Sequence, residues 1–293
     1  MRTISASGCP GMKRPSFANT LVQIRPLRLS PVAAIMIFAL SAGRTLEAHG
    51  AWTLVWFDEF NGASVDTNHW MFETGNHNGW GNHELEYYTS KSENIYVRDG
   101  LLHIVARKEF THGFAYTSAR VKSEGLFSKK YGRFEFRVRA PHGQGLWPAF
   151  WLMPEHPAYG RWPNCGEFDV MENKGNNPGI VQGTIHYAGA DGRHLQSTGF
   201  YTFPRYNGAT NFHTYVLQWT TNTIQWLVDG NLYETQTNWS TAAAPYPAPF
   251  DQPFYIIINL AVGGDYGGNP DSTTGFPDEL QVDYVRVYEH TDP

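Results

Sequence analysis

Glu167, Asp169 and Glu172 stand in the run Gly166-Glu-Phe-Asp-Val-Met-Glu-Asn173, carboxylates interleaved with apolar residues. Side chains of a strand alternate between faces, so Glu167 and Asp169 share one face, Phe168 and Val170 the other. Strict alternation sends Glu172 to the apolar side. A β-bulge near Val170 and Met171 would insert one residue and return Glu172 to the acidic face. Such a carboxyl set suits glycosidic bond hydrolysis. In a retaining mechanism one ionised carboxylate attacks, a protonated one supplies the leaving oxygen's proton, and the two stand about 5–5.5 Å apart. Four pleat steps of roughly 3.3 Å separate the two Glu backbones by about 13 Å, so their side chains must lean together on a concave face. Asp169 between them would raise its neighbour's pKa through like charge. The spacing alone also fits a solvated sheet face or a hard-cation site.

Upstream, Gly145-Leu-Trp147-Pro-Ala-Phe-Trp151 puts two indoles on one strand face, and Trp162 stands five residues before the first Glu. Indole faces stack on the C–H faces of pyranose rings in clefts with polar rims, although a Trp also serves as core. His186, in Thr184-Ile-His-Tyr187, is either a hydrogen-bonding partner of sugar or carboxylate or a structural bridge.

The elements that must carry these residues are strands. The 293 residues include 10 Trp, 16 Tyr, 18 Phe, 29 Gly and 18 Pro, with only 17% charged, a balance that favours strands and turns. Short alternating runs predict strands at 53–57, 101–107, 118–123, 132–140, 149–153, 167–172, 181–187, 213–220, 223–228, 254–261 and 281–288. This is an all-β, two-sheet sandwich in one domain. In 132–140 the alternation puts Arg133, Glu135, Arg137 and Arg139 on a face that is solvated or lines a groove. Hairpin turns are expected at 220–223 and 229–231. The Gly-, Asn- and Pro-rich stretches 73–82, 188–211 and 263–276 read as loops that rim a site or cover sheet edges.

Residues 1–48 read as a secretory signal, with Arg2, Lys13, Arg14, Arg25 and Arg28 ahead of the apolar run Val32–Leu40 and the small residues Ser41, Ala42 and Gly43. The run is too short for the ~20 residues of a membrane span. The mature domain is then 49–293. Removing six Lys/Arg and one Glu takes the net charge from −5 to about −10, which excludes a basic field for nucleic acid. A secreted monomer is expected, extracellular or periplasmic, with no membrane partner after cleavage. Cys9 lies in the leader, leaving Cys165 without a disulfide partner, a small buried hydrophobe rather than a nucleophile.

The chain from about Trp52 to Tyr288 resembles glycoside hydrolase family 16, most closely its laminarinase-like members. The matches run in order through Phe57-Asp-Glu-Phe-Asn-Gly62, Asn82-His-Glu-Leu-Glu-Tyr-Tyr-Thr89, Tyr116-Thr-Ser-Ala-Arg-Val121, Tyr131-Gly-Arg-Phe-Glu135 and the two runs quoted above. They end with Phe254-Tyr-Ile-Ile-Ile-Asn-Leu-Ala-Val-Gly-Gly264 and Val282-Asp-Tyr-Val-Arg-Val-Tyr288. The resemblance implies a β-jelly-roll of two curved antiparallel sheets, with the substrate cleft on the concave one. It implies Glu167 as nucleophile, Glu172 as acid/base and Asp169 as the assisting carboxylate. Glycan contacts would fall to Asn82, Arg120, Trp147, Trp151, Trp162 and His186. No cofactor is implied for catalysis, but a structural calcium is, held by the backbone of Glu59 and Gly100 and the carboxylate of Asp283.

Within that resemblance, the bulged E-x-D-x-x-E spacing favours retaining endo-cleavage of β-1,3-glucosidic linkages in laminarin-type β-glucans. Mixed-linkage β-1,3-1,4-glucanase, agarase-like galactan hydrolase and noncatalytic glucan-binding protein stay as alternatives, and transglycosylation shares the covalent intermediate. Two departures stand out: His83 replaces a common second Asn, and Asn173-Lys174 replaces a frequent aromatic after the last Glu.

Overall fold

The computed structural model describes residues 51–291, so the expected leader lies outside the described residues. In chain order the strands are β1 (Ala51–Asp58), β2 (Met71–Glu73), β3 (Glu86–Tyr88), β4 (Ile95–Arg98), β5 (Leu101–Ala106), β6 (Tyr116–Ser118), β7 (Arg120–Lys122), β8 (Gly132–Arg139) and β9 (Leu146–Pro154). They continue with β10 (Glu167–Asn173), β11 (Ile180–Ala188), β12 (His194–Thr202), β13 (His213–Trp219), β14 (Ile224–Val228), β15 (Asn231–Gln236), β16 (Phe254–Val262) and β17 (Asp278–Thr291). The one α-helix among the described residues, α1 (Gly264–Gly267), is a single turn, and no described helix is long and apolar enough to cross a membrane.

Two antiparallel sheets form the sandwich. The first runs β15-β14-β13-β8-β17-β5-β4, with β1 also on β17; the second runs β12-β11-β10-β9-β16-β7-β2. Neighbours distant in sequence, such as β9 beside β16, give the crossovers expected of a jelly roll. One apolar core lies between the sheets, where Phe134, Phe136, Trp219 and Trp226 of the first meet Phe150, Phe168, Ile256 and Ile258 of the second. Ridding water of such rings is worth roughly 1.5–3 kcal/mol each before chain entropy is counted, enough to fix the register of every strand that contributes one.

Two expectations are corrected. The stretch 188–211 is not all loop: β12 pairs along its whole length with β11. It is a sheet-edge strand with only Gly199 buried, so it carries no apolar alternation to betray it. The strand expected over 118–123 breaks at Ala119 into β6 and β7, which belong to different sheets. On the charged face of β8, Arg133, Arg137 and Arg139 are ion-paired with Glu135, Asp283 and Glu279, and Arg139 with Glu279 lines a groove. Both hairpin turns form: Thr220 N–H donates to the Thr223 carbonyl, and Asp229 and Gly230 take the positive φ of a tight β14–β15 turn.

Candidate active site

The bulge on β10 is present. Asp169 lies opposite Trp151 and Thr184, whereas Glu172 lies opposite Ala149 and Gln182. Three steps on β10 therefore match two on each neighbour. Val170 and Met171 both turn into the core, and Glu167, Asp169 and Glu172 emerge on the outer face of the second sheet. Phe168 anchors the strand from below, its ring 4.9 Å from Trp219, 4.6 Å from Phe250 and 4.8 Å from Phe254.

Each carboxyl has its own donors. Trp162 Nε1 donates to Glu167 Oε2 at 2.5 Å. Trp147 Nε1 and Gln182 Nε2 donate to the two oxygens of Glu172 at 3.0 and 2.9 Å. His186 Nε2 stands 2.9 Å from Asp169 Oδ2, and its Nδ1 lies 2.8 Å from His194 Nε2. One carboxylate oxygen each of Glu167 and Asp169 and a ring nitrogen of His186 all fall within 4.8 Å of one another. Loss of water raises every carboxyl of the trio, Glu167 and Glu172 to about 8 and Asp169 to about 7. Asp169's charge pushes both Glu residues further up, while the indole and amide donors pull them down. Burial and the Asp169 charge thus raise Glu172 into the range a general acid needs near neutral pH, while the Trp162 donor favours the ionised form of Glu167.

The cleft above the trio has a volume of about 530 Å³ and takes Trp147, Trp151, Trp162 and Tyr266 as walls. Trp162 is 47% exposed, a free indole face beside Glu167. Trp151 is held by Asn259, whose Oδ1 accepts its Nε1–H at 2.8 Å. Arg120 lies between the rings of Trp80 and Trp151, 4.4 and 4.7 Å from their centroids, and donates to Glu73 at 2.5 Å. It is thus ion-paired and also lines the pocket over the carboxyls with Trp147 and Glu172. Asn82 lines the same cleft and donates to Glu84 Oε1 at 3.1 Å. A larger groove, about 610 Å³ and lined by Tyr96, Arg98, Arg139 and Glu279, lies away from these carboxyls.

Sequence reasoning missed Trp80, Gln182, His194 and Tyr266. Gln182 was readable, since it alternates with Thr184 and His186 on β11 and so faces outward. The other three sit in stretches read as loops. The two departures from the family pattern both hold α1 in place: His83 Nδ1 lies 2.9 Å from Asp265, and the Lys174 ammonium lies 4.5 Å from the ring centre of Tyr266. Cys165 is buried, and burial pushes its thiol up to about 11, so it stays an unreactive thiol.

The residues of the expected calcium site, Glu59, Gly100 and Asp283, belong to neighbouring strands or their ends. Val282 pairs with Leu102 and Val285 with Asp58, so Asp283 lies on β17 where β5 gives way to β1. Backbone carbonyls and one carboxylate are the hard oxygens that calcium takes, and these donors fit in type. The Asp283 carboxylate is ion-paired with Arg137, so a cation there would compete with the guanidinium.

Similarity to known proteins agrees with this geometry. The chain is 44% identical over 256 residues to the glucan endo-1,3-beta-glucosidase A1 of Niallia circulans, covering 80% of this chain but only 38% of that longer protein. It is 43% identical over 254 residues to the beta-glucanase of Rhodothermus marinus, covering 81% and 85%. The X-ray structure of the laminarinase from Rhodothermus marinus superposes with a TM-score of 0.75 at 43% identity, over 83% of this chain and 99% of that one. Residues 81–286, the span from the cleft's Asn82 to the last strand, match the family pattern itself, and the chain belongs to glycosyl hydrolases family 16.

Proposed function

We propose that the protein is a retaining endo-glycosidase that hydrolyses internal β-1,3-glucosidic linkages of laminarin-type glucans. The observation that carries this reading is the β10 bulge, which brings Glu167 and Glu172 to one face with separate donor sets. The ionised Glu167 carboxylate, held by Trp162, attacks the anomeric carbon. As that bond forms, the bond to the leaving sugar oxygen breaks and the Glu172 proton passes to that oxygen. Glu172, now a carboxylate, takes a proton from water as the water oxygen attacks the anomeric carbon and releases Glu167. Asp169 keeps Glu172 protonated between turnovers by like charge.

The substrate is a neutral glucan on two grounds. Aromatic rings wall the cleft, and the guanidinium beside the trio, Arg120, is already compensated by Glu73. The relatives named for β-1,3-glucan and β-glucan cleavage fit the same choice. Digestion of laminarin, lichenan, agarose and carrageenan tests it: laminarin should give short oligosaccharides early, with the β-anomer first in proton NMR. Predominant attack on agarose or carrageenan, or a first-formed α-anomer, would overturn it.

The leader reading adds export from the cytoplasm and action as a monomer, checked by N-terminal sequencing and sedimentation of the exported protein. Calcium at Glu59, Gly100 and Asp283 is part of the same proposal. It supplies stability and no chemical step, so added calcium should raise the melting temperature and a chelator lower it.

A further inference from the structure

His194 is the residue of the cleft that the reaction above leaves without a task. It sits on β12, exposed, with its ring 5.0 Å from His186 in a stacked arrangement and 4.7 Å from Trp162. Its Nε2 faces His186 Nδ1 at 2.8 Å, and the opposite nitrogen of His186 faces Asp169 at 2.9 Å. The contacts form a closed ring: Trp162 holds Glu167, His194 touches Trp162 and His186, and His186 meets the carboxylate next to Glu167.

With both histidines neutral, a proton count along this line permits two arrangements. In one, His194 Nε2–H donates to His186 Nδ1, which leaves the Nε2–H of His186 2.9 Å from an ionised Asp169, a charge–dipole contact outside hydrogen-bond alignment. In the other, His186 Nδ1–H donates to His194, and the bare Nε2 lone pair of His186 faces Asp169, which favours the protonated form of that carboxyl. We propose that His194 is a positioning residue that selects the first arrangement, so that Asp169 stays ionised and Glu172 keeps its proton. This rests on the hydrolase reading of the same site. Partial desolvation, and then the His186 ring, hold His194 below its ordinary pKa, so it acts at neutral pH as a neutral donor. The other ionisable groups facing His186 are Glu167, Asp169 and Glu172 of β10, with uncharged Gln196 of β12 as its cross-strand partner. The uncharged indole of Trp162 stands 6.4 Å from it. None of these besides His194 lies against Nδ1 among the described residues.

Two variants separate this role from simple packing. His194→Phe keeps a ring against Trp162 and loses the donor; His194→Gln loses the ring and keeps an N–H. With laminarin as substrate, His194→Phe should move the upper limb of the kcat/KM profile to lower pH, with a loss of about three- to tenfold at pH 8, against a smaller change at the optimum. His194→Gln should restore the wild-type limb. Nitrogen-15 NMR of the wild type, which needs no turnover, should show His186 protonated at Nε2 and bare at Nδ1. An Nδ1–H tautomer of His186, an unmoved limb in His194→Phe, or equal shifts in both variants would overturn the proposal. Absence of laminarin hydrolysis by the wild type, with the Nε2–H tautomer intact, would instead fault the hydrolase reading.

Discussion

The indole Nε1 of Trp226, on β14 of the first sheet, donates to the backbone carbonyl of Asp169, on β10 of the second, at 2.8 Å. A bulge takes backbone groups out of the ladder, and a buried carbonyl left without a donor costs about 1–3 kcal/mol. Trp226 is fully buried and reaches that carbonyl across the core. Room for its ring comes from β11: a Cβ built at Gly183 would stand 2.2 Å from Trp226 Cδ1. The bulge that assembles the carboxyls is therefore held from the opposite sheet.

Gly183→Ala should accordingly destabilise the protein by about 1–3 kcal/mol, the usual range for overpacking a filled core. Activity at 25 °C should fall as well, because Trp226 must shift and release Asp169. Urea denaturation and a laminarin assay on the same preparation check both effects. A variant as stable as the wild type would show that the cross-sheet contact is slack.

Trp162→Phe keeps a flat ring in the cleft but removes the donor to Glu167. Hydrogen bonds to charged groups contribute about 1.5–3 kcal/mol, so kcat should drop roughly 10- to 100-fold. KM for laminarin should change little. Steady-state kinetics separates the outcomes: a rise in KM with kcat intact would make Trp162 a binding platform only.

Asp169→Asn removes the charge that raises both Glu residues. With that charge gone, Glu172 loses its proton at lower pH. The upper limb of the kcat/KM profile should move down by about one pH unit. An unmoved limb would exclude Asp169 as the charge that keeps the acid protonated.

The same burial makes stability depend on pH. Glu172, 7% exposed, is raised from 4.5 to about 8 in the folded protein. Its contribution is fully present below about pH 4.5 and is lost as pH rises through about 8. Glu172→Gln, neutral throughout, should match the wild type near pH 5. Near pH 9 it should exceed it by on the order of 1–3 kcal/mol. Denaturation at the two pH values reads the difference directly; equal stabilities at both would mean that Glu172 carries no burial penalty.

The parts of this fold written in local pattern were legible from the sequence. The alternation of Phe134, Phe136 and Val138 marked β8, and the interrupted alternation of Glu167 to Glu172 marked the bulge itself. What stayed hidden depends on partners far along the chain. The β12 strand exists because β11 supplies its ladder, so a polar segment with exposed Leu195 and Phe200 reads as loop. His194 was lost with it. Trp80 and Tyr266 reach the cleft from loops whose course depends on tertiary contacts, here Arg120 over Trp80 and Lys174 over Tyr266. Gly183 carries no local signal of the Trp226 ring that it accommodates.

The central claim is that Glu167 attacks the anomeric carbon. Glu167→Gly assayed on a laminarin oligosaccharide with an activated leaving group, with and without sodium azide, tests it most directly. Without azide the variant should be slower than the wild type by on the order of 10³-fold or more. With azide, turnover should return and the product should be the α-glucosyl azide, since the small anion takes the place of the carboxylate and inverts the centre once. Near-normal hydrolysis by the variant without azide, or a β-glucosyl azide product, would contradict the account.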